Sequence, residues 1–233
     1  MEVKNLIQNY GVKAAQATLL RSVYLWMALA LVITGFVALY VSQSYNLIQM
    51  LVTNSIAFWG LLIAELGIVW YLSARIGKIS FTTATILFIV YSVLNGATLS
   101  FIFLIYTASS IVSTFFITAG TFGAMALYGY ITKQDLTRIG NLCIMALIGL
   151  IIASVVNMFF TSNTMSLIIS YIGVLVFVGL TAYDSQKIKQ LLTADDIEVT
   201  EETQKVALMG SMMLYLDFIN LFLYLLRILG DRK

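Results

Sequence analysis

The chain contains no histidine and no proline, and it has a single cysteine among its 233 residues. Without histidine, a histidine-ligated metal site and a histidine general base are both excluded. The single cysteine, Cys143, cannot form a disulfide within the chain, and because it lies in an apolar run we expect it to pack rather than to react. Without proline, a kink in any helix must come from glycine or from a polar residue inserted in that helix.

Charged residues are also scarce. They make up 10% of the chain, against about 25% in average soluble domains, while 61% of the residues are hydrophobic. The formal net charge of +2 is too small to suggest a nucleic-acid partner. The core of a soluble domain could not absorb so much apolar sequence, but a lipid bilayer can, and each transmembrane helix needs roughly 20 mostly apolar residues. The composition predicts an all-α, polytopic integral membrane protein.

Three long stretches without any charge account for six of the predicted spans, and an apolar segment at residues 206–229 adds a seventh. The three uncharged stretches are residues 22–64, 79–132 and 139–183, and each is long enough for two helices and a short turn. Each also has a polar break near its middle. The pattern predicts a seven-helix membrane domain over residues 22–229, with tails of residues 1–21 and 230–233. The helices are predicted at residues 22–41, 54–73, 80–106, 111–131, 139–160, 166–184 and 206–229.

The basic residues are confined to one set of loops, which predicts the orientation of the chain. Lys and Arg precede the first helix and lie between helices two and three, four and five, and six and seven, whereas the three opposite loops have none. The positive-inside rule therefore predicts a cytoplasmic N-terminus. Arg232 and Lys233 would then lie outside, against the rule, so the last helix either spans the membrane or re-enters on the same side; both remain open.

Four ionisable side chains fall inside predicted spans or at their ends; within a span a charge costs about 2.5–3.5 kcal/mol on insertion scales. Glu65 and Asp217 lie near the middle of helices two and seven, and Arg75 and Arg227 follow them by ten residues each, about 15 Å along a helix. If these two antiparallel helices are neighbours, Arg75 meets Asp217 at the inner level and Glu65 meets Arg227 at the outer level. Each buried charge would then have a partner.

Simpler interpretations of the same four residues remain open. Arg75 and Arg227 could extend to the lipid headgroups and contribute only to topology. Glu65 and Asp217 could form ion pairs whose only role is to fix helix packing.

Polar side chains on two helices mark candidate pore-lining positions. Asn220 and Tyr224 fall between Asp217 and Arg227 on one helical stripe, which predicts a protein-lined, hydrated interior rather than a lipid-facing surface. Asn95 shares a face of helix three with other polar residues. Hydrogen bonding between packed helices also explains Asn95, so both interpretations stay open there.

Four motifs follow one another along the apolar segments. They are residues 91–100 (YSVLNGATLS), 120–130 (GTFGAMALYGY), 179–188 (GLTAYDSQKI) and 214–222 (LYLDFINLF). In this order, over nearly the whole chain, they resemble the Bax inhibitor-1 family of transmembrane Bax-inhibitor-motif proteins, in its bacterial branch. The resemblance implies seven helices with a central last helix, in the bacterial inner (plasma) membrane.

The same resemblance implies a function and assigns residues to it. It implies a pH-sensitive calcium leak channel or uniporter, with calcium as the permeant ion and no cofactor. The family's proton-sensing aspartate pair falls on Asp184 and Asp217, its arginine latch on Arg75, and its outer acid–base pair on Glu65 and Arg227. Two nearby carboxylates resist double ionisation and tend to share a proton, and carboxylate oxygens suit calcium, a hard cation. One pair of residues could therefore sense protons and bind calcium transiently.

Other functions compete with the leak channel. Some bacterial members of the family are associated with a membrane-bound ATP-dependent protease, as modulators or substrates, and the N-terminal tail would then be the binding segment. A proton-coupled carrier also remains open. The acidic segment 195–202 is either a solvated linker or a loop that tunes calcium near the inner mouth.

An intramembrane aspartyl protease is disfavoured. Asp217 follows Leu214-Tyr215-Leu216 rather than a glycine-flanked motif, and a chain without proline lacks the Pro-Ala-Leu element of such proteases. We therefore expect no enzymatic activity.

The predicted topology can be checked by labelling single cysteines from each side of the membrane. In a Cys143→Ser background, we expect a cysteine within residues 133–138 to be labelled only from the cytoplasm and one within residues 42–46 only from outside, because the basic loops stay inside. The opposite pattern would overturn the orientation. A cysteine at position 233 would distinguish a spanning last helix from a re-entrant one.

Overall fold

The computed structural model describes residues 2–160, 162–193 and 197–233, with side chains described from residue 11 onward. The part of the chain that it describes is helical almost throughout. In chain order the helices are α1 (Glu2–Gln43), α2 (Tyr45–Thr53), α3 (Ser55–Arg75), a single 3-10 turn (Ile76–Lys78), α4 (Phe81–Leu99), α5 (Ile102–Ile105), α6 (Ala108–Ile131), α7 (Thr137–Phe160), α8 (Asn163–Leu192) and α9 (Glu201–Leu229).

Seven segments of the described chain are helical, long and apolar enough to cross a membrane, which confirms the predicted all-α polytopic fold. They correspond to α1, α3, α4 with α5, α6, α7, α8 and α9. The last helix is the most enclosed: 67% of its most apolar stretch is buried inside the protein, against 44% or less for the others. It is continuous over 29 residues, about 44 Å, which favours a full span over a re-entrant segment.

Several helices extend further than the sequence pattern predicted. The first begins at Glu2 rather than near residue 22, α8 continues to Leu192 rather than 184, and α9 begins at Glu201 rather than 206. Charged residues mark where a helix leaves the membrane, not where its backbone hydrogen bonding ends. At the start of α9, the hydroxyl oxygen of Thr200 accepts the backbone N–H of Thr203 at 3.2 Å, so the helix is capped outside its apolar part.

The third predicted span, residues 80–106, is interrupted. The helix α4 ends at Leu99, and the Ser100 hydroxyl donates to the carbonyl oxygen of Ala97 at 2.6 Å. The backbone N–H of Ser100 is shared between the carbonyls of Gly96 and Ala97. A serine that bonds to its own helix in this way competes with regular helical hydrogen bonding, which explains a tight turn without proline.

A short helix, α2, follows the first predicted polar break at residues 42–46. None of its residues is buried. Asn46, Gln49 and Thr53 lie at intervals of three and four residues, so they share one face of the helix, while the opposite face is apolar. This amphipathic pattern is typical of a helix that lies along a membrane surface.

The residues group into two compact units. The first contains the residues up to Ile105 together with Gln190–Tyr215, and the second contains Tyr106–Lys189 together with Leu216–Lys233. The last helix therefore contributes its first half to one unit and its second half to the other.

In the first unit, α4 is fixed against α1 and the start of α9. Gly96 lies so close to α1 that a side chain there would meet the backbone carbonyl of Thr34 at 2.7 Å. The backbone N–H of Phe81 donates to the carboxylate of Glu201 at 2.8 Å, and the ammonium of Lys205 donates to the carbonyl of Ile79 at 3.2 Å.

In the second unit, α8 is held close to both α6 and α7. A side chain at Gly129 of α6 would overlap the backbone carbonyl of Ala182 in α8, and one at Gly140 of α7 would lie 2.5 Å from the ring of Tyr183. The contacted residues, Ala182 and Tyr183, immediately precede Asp184 in α8, so they fix the height and rotation of that residue.

The contact between α6 and α8 predicts a specific loss of stability. Gly129→Ala should lower the thermal unfolding midpoint of the purified protein in detergent, because the added methyl group meets backbone, and overpacking typically costs about 1–3 kcal/mol. Gly123→Ala in the same helix is the matched control, since nothing lies within 4 Å of its added Cβ. Equal midpoints for the two variants would contradict the close approach.

Candidate functional site

Asp184 of α8 and Asp217 of α9 lie side by side in the second unit. Their carboxyl groups lie close enough to interact electrostatically and as potential hydrogen-bonding partners. Asp217 is only 5% exposed, whereas Asp184 is half-buried. The structure thus brings together the two aspartates that the sequence motifs singled out.

The surroundings of this pair are poor in compensating groups. The Oδ2 atom of Asp217 is buried and has no hydrogen-bond donor among the described residues. Asp184 interacts electrostatically with Lys187, one turn further along α8, and Asp217 with the thiol of Cys143 in α7. A carboxylate buried without a donor is costly, and two adjacent ionised carboxylates repel. Two carboxyl groups in such a pair generally favour a single shared proton.

The two residues after Asp184 anchor its helix. The Ser185 hydroxyl donates to a backbone carbonyl of α6 at 2.8 Å. The Gln186 amide oxygen accepts the backbone N–H of Leu136 at 2.9 Å, and its nitrogen donates to the carbonyl of Gln134 at 2.8 Å. These bonds tie α8 to the loop between α6 and α7. Both side chains belong to the motif at residues 179–188, but nothing in the sequence indicated their anchoring role.

Aromatic packing fixes the other side of the pair. Phe218, next to Asp217, packs edge-on against Phe115 and Phe122 of α6 with ring centres 5.4 Å and 5.5 Å apart. Such edge-to-face pairs have a preferred geometry. The rotation of α9 at Asp217 is thereby defined.

Arg75, the predicted latch, lies exposed in the last turn of α3. It belongs to the first unit, whereas both aspartates belong to the second. Its role as a latch stays a prediction.

Glu65 is the centre of a buried polar network in the first unit. It is 8% exposed, and its carboxylate accepts hydrogen bonds from the Asn95 amide at 3.3 Å and from the Thr98 hydroxyl. The Tyr215 hydroxyl donates to the Asn95 amide oxygen at 3.0 Å and lies 2.7 Å from the Thr34 hydroxyl. Four helices, α1, α3, α4 and α9, are thus connected through side chains.

Two of the predicted site residues, Asn95 and Glu65, belong to this network. Asn95, predicted as pore-lining, is 8% exposed and uses both ends of its amide to connect helices. Within its unit, Glu65 has neutral partners, and its pairing with Arg227 of the other unit stays a prediction. The spacing along α4 indicated that Asn95 and Thr98 share a face, but nothing in the sequence indicated Thr34 or Tyr215 as their partners.

The other pore-lining candidates, Asn220 and Tyr224, line a cavity of about 540 Å³ in the second unit together with Arg227. Side chains of α7 and α8, among them Asn157 and Ser166, complete its wall. Three of the four residues of the predicted stripe on α9 therefore face a polar cavity.

A closed metal site of the usual kind is not found in the described part of the chain. Across residues 2–160, 162–193 and 197–233, there is no group of three or more His, Cys, Asp or Glu side chains that could hold a metal ion. The acidic segment predicted as linker or calcium-tuning loop includes Asp195 and Asp196, which lie outside the described residues.

Comparison with known proteins gives a consistent result. The profile of the family described as "Inhibitor of apoptosis-promoting Bax1" matches residues 16–233. The inner membrane protein YbhL of Escherichia coli strain K12 is 50% identical over 221 residues, covering 95% of this chain and 94% of YbhL. An uncharacterized protein of Borreliella burgdorferi is 47% identical and covers 92% of each chain. The uncharacterized protein RP147 of Rickettsia prowazekii is also 47% identical, covering 91% of this chain and 88% of its own.

The polar network of the first unit should contribute measurably to stability. Tyr215→Phe removes the hydroxyl that donates to Asn95 and leaves a buried amide oxygen without its donor, which typically costs about 1–3 kcal/mol. We expect a lower thermal unfolding midpoint in detergent. Tyr40→Phe on α1 is the control, since Tyr40 is 66% exposed. If both variants unfold like the wild type, the network does not connect the helices as described.

Proposed function

Because the chain belongs to the Bax inhibitor-1 family, we propose that it is a pH-sensitive calcium leak channel of the bacterial inner membrane, gated by Asp184 and Asp217. The observation that carries the proposal is a buried carboxyl group without a donor, that of Asp217, in direct contact with a second carboxyl group. Such a pair changes its charge by one unit when it gains or loses a proton. This makes it a proton sensor that needs no histidine.

The proposed gate works through the charge on the pair. In its singly protonated form the two side chains share a hydrogen bond, and α8 and α9 are held together. A change in protonation replaces this bond with repulsion, or with two neutral groups that bind a cation less strongly. In either case, the contact between the two helices depends on pH. Arg75, the latch predicted from the sequence, would favour the more negative form of the pair.

The proposed role for calcium follows from the chemistry of the same groups. Calcium is bound by six to eight oxygen atoms at about 2.3–2.6 Å. Two carboxyl groups supply at most four of them, so water would complete the shell. Weak, incomplete coordination suits an ion that must leave as well as enter. In this proposal calcium is the transported ion and not a resident metal.

The proposal is tested by calcium flux into proteoliposomes, measured from acidic to neutral pH. Wild-type flux should depend on pH, and Asp184→Asn and Asp217→Asn should each flatten that dependence, because an amide cannot take up or release the proton. Arg75→Ala should raise the flux near neutral pH, where the latch would otherwise act on the charged pair.

Asp135→Asn is the matched control. Asp135 lies in the exposed loop before α7, where hydrogen bonds from the hydroxyl and the backbone N–H of Thr137 hold the pKa of its carboxyl below the ordinary value. It therefore stays ionised throughout the tested range, and asparagine retains the oxygen that caps the helix. This variant should keep the wild-type profile. If both aspartate variants of the pair also keep that profile, the sensor assignment fails.

A further inference from the structure

We propose that the cavity lined by Arg227 is a binding site for a phosphate group. This inference goes beyond the proposed calcium function and does not depend on it, since it uses none of the residues of the aspartate pair. It rests on the position of the cavity, on its charge and on the hydrogen-bonding groups that line it.

The cavity lies at one end of the second unit. Ser154 and Asn157 belong to the last turns of α7, Ser166 to the first turn of α8, and Tyr224 and Arg227 to the last turns of α9. This is the end away from the basic residues before α7 and at the end of α8. If the predicted orientation holds, the cavity opens toward the outer face of the membrane. Its volume of about 540 Å³ lies within the range of small-molecule sites.

The charge of the cavity is positive and uncompensated within its unit. Arg227 lines the cavity and is exposed, and no carboxylate is among the lining residues. Asp231, one turn further on, is engaged elsewhere: its carboxylate accepts from the Ser110 hydroxyl at 3.3 Å, and its backbone N–H donates to the same hydroxyl oxygen at 3.0 Å. A guanidinium group favours planar or tetrahedral oxyanions that can take two parallel hydrogen bonds.

Neutral donors line the same cavity as the guanidinium. The Tyr224 and Ser154 hydroxyls and the Asn163 side-chain amide have no hydrogen-bond partner among the described residues, although all three line the cavity. The Asn157 amide already donates a hydrogen bond to the Ser166 hydroxyl at 2.8 Å, so these two side chains form a fixed part of the cavity wall. A phosphate group can accept from several directions at once, which matches donors contributed by three helices. A metal cation would have no carboxylate ligand in this cavity and would be repelled by the charged Arg227.

Two sources could supply the phosphate: inorganic phosphate in solution, or the headgroup of a phospholipid. The chemistry recognised is the same, so two measurements separate them. In the first, sodium phosphate is titrated into purified, delipidated protein and the thermal unfolding midpoint is followed, with sodium chloride at equal ionic strength as reference. In the second, phosphatidylglycerol is added to the delipidated protein in detergent, and the bound lipid is counted by native mass spectrometry.

We expect phosphate or phosphatidylglycerol to bind in at least one of the two measurements, and we expect this binding to depend on the residues that line the cavity. Arg227→Gln should weaken it about tenfold or more, as expected for loss of a charge-assisted hydrogen bond. Arg232→Gln is the matched control, since it removes an arginine outside the cavity and should bind like the wild type. Asn163→Ala should weaken binding less than Arg227→Gln, whereas Asn141→Ala, which changes an exposed asparagine outside the cavity, should not.

A failure of Arg227→Gln to fold would show in its unfolding midpoint without ligand. In that case Asn163→Ala still tests the inference. Phosphate-dependent stabilisation identifies the free anion, and retained phosphatidylglycerol identifies the headgroup. Absence of both in the wild type overturns the site, as does equal loss of binding in Arg227→Gln and Arg232→Gln. Calcium flux is measured separately, so a failed phosphate site leaves the proposed gate unaffected and a failed gate leaves the phosphate site unaffected.

Discussion

An ionised carboxyl group that is buried without a hydrogen-bond donor is unfavourable. The packing of the second unit of this protein is organised around that constraint. Asp217 has one oxygen for which no described residue supplies a hydrogen, and the proton-sharing pair proposed above would relieve this through Asp184. Sharing a proton requires the two side chains to stay in register. The glycine contacts of α8 with α6 and α7, the anchors at Ser185 and Gln186 and the packing of Phe218 all act on that register.

The first unit handles its buried carboxylate in a different way. Glu65 is surrounded by donors from a neighbouring helix, and the chain of polar contacts continues through Asn95 to Tyr215. Such a saturated network stabilises one arrangement of helices, because each member would lose a partner if the helices moved. The two buried acids thus have different surroundings in the same chain: the carboxylate of Glu65 has donors, whereas one oxygen of Asp217 has none among the described residues.

Much of this could be predicted from the sequence, and the remainder has a clear physical reason. Three uncharged stretches predicted six of the seven spans, because the bilayer core excludes charge whatever the detailed packing, and the apolar segment 206–229 gave the seventh. The motifs singled out Asp184 and Asp217. Helix ends were predicted poorly, since hydrogen bonding continues past the membrane edge, as α9 shows at Glu201. The partners of Tyr215 could not be predicted, because Thr34 and Asn95 lie far away in sequence and nothing local indicates which faces meet.

The last helix also has a mechanical property. Tyr215 and Asp217 are two residues apart in one unbroken helix, so their side chains point about 200° apart, nearly opposite each other around its axis. Tyr215 makes hydrogen bonds within the first unit, and Asp217 carries the carboxyl group that lies beside Asp184 in the second unit. A rotation of this helix about its own axis would therefore move both side chains at once. In the proposed gate, a rotation driven by protonation of Asp217 would have to act against the hydrogen bonds of Tyr215.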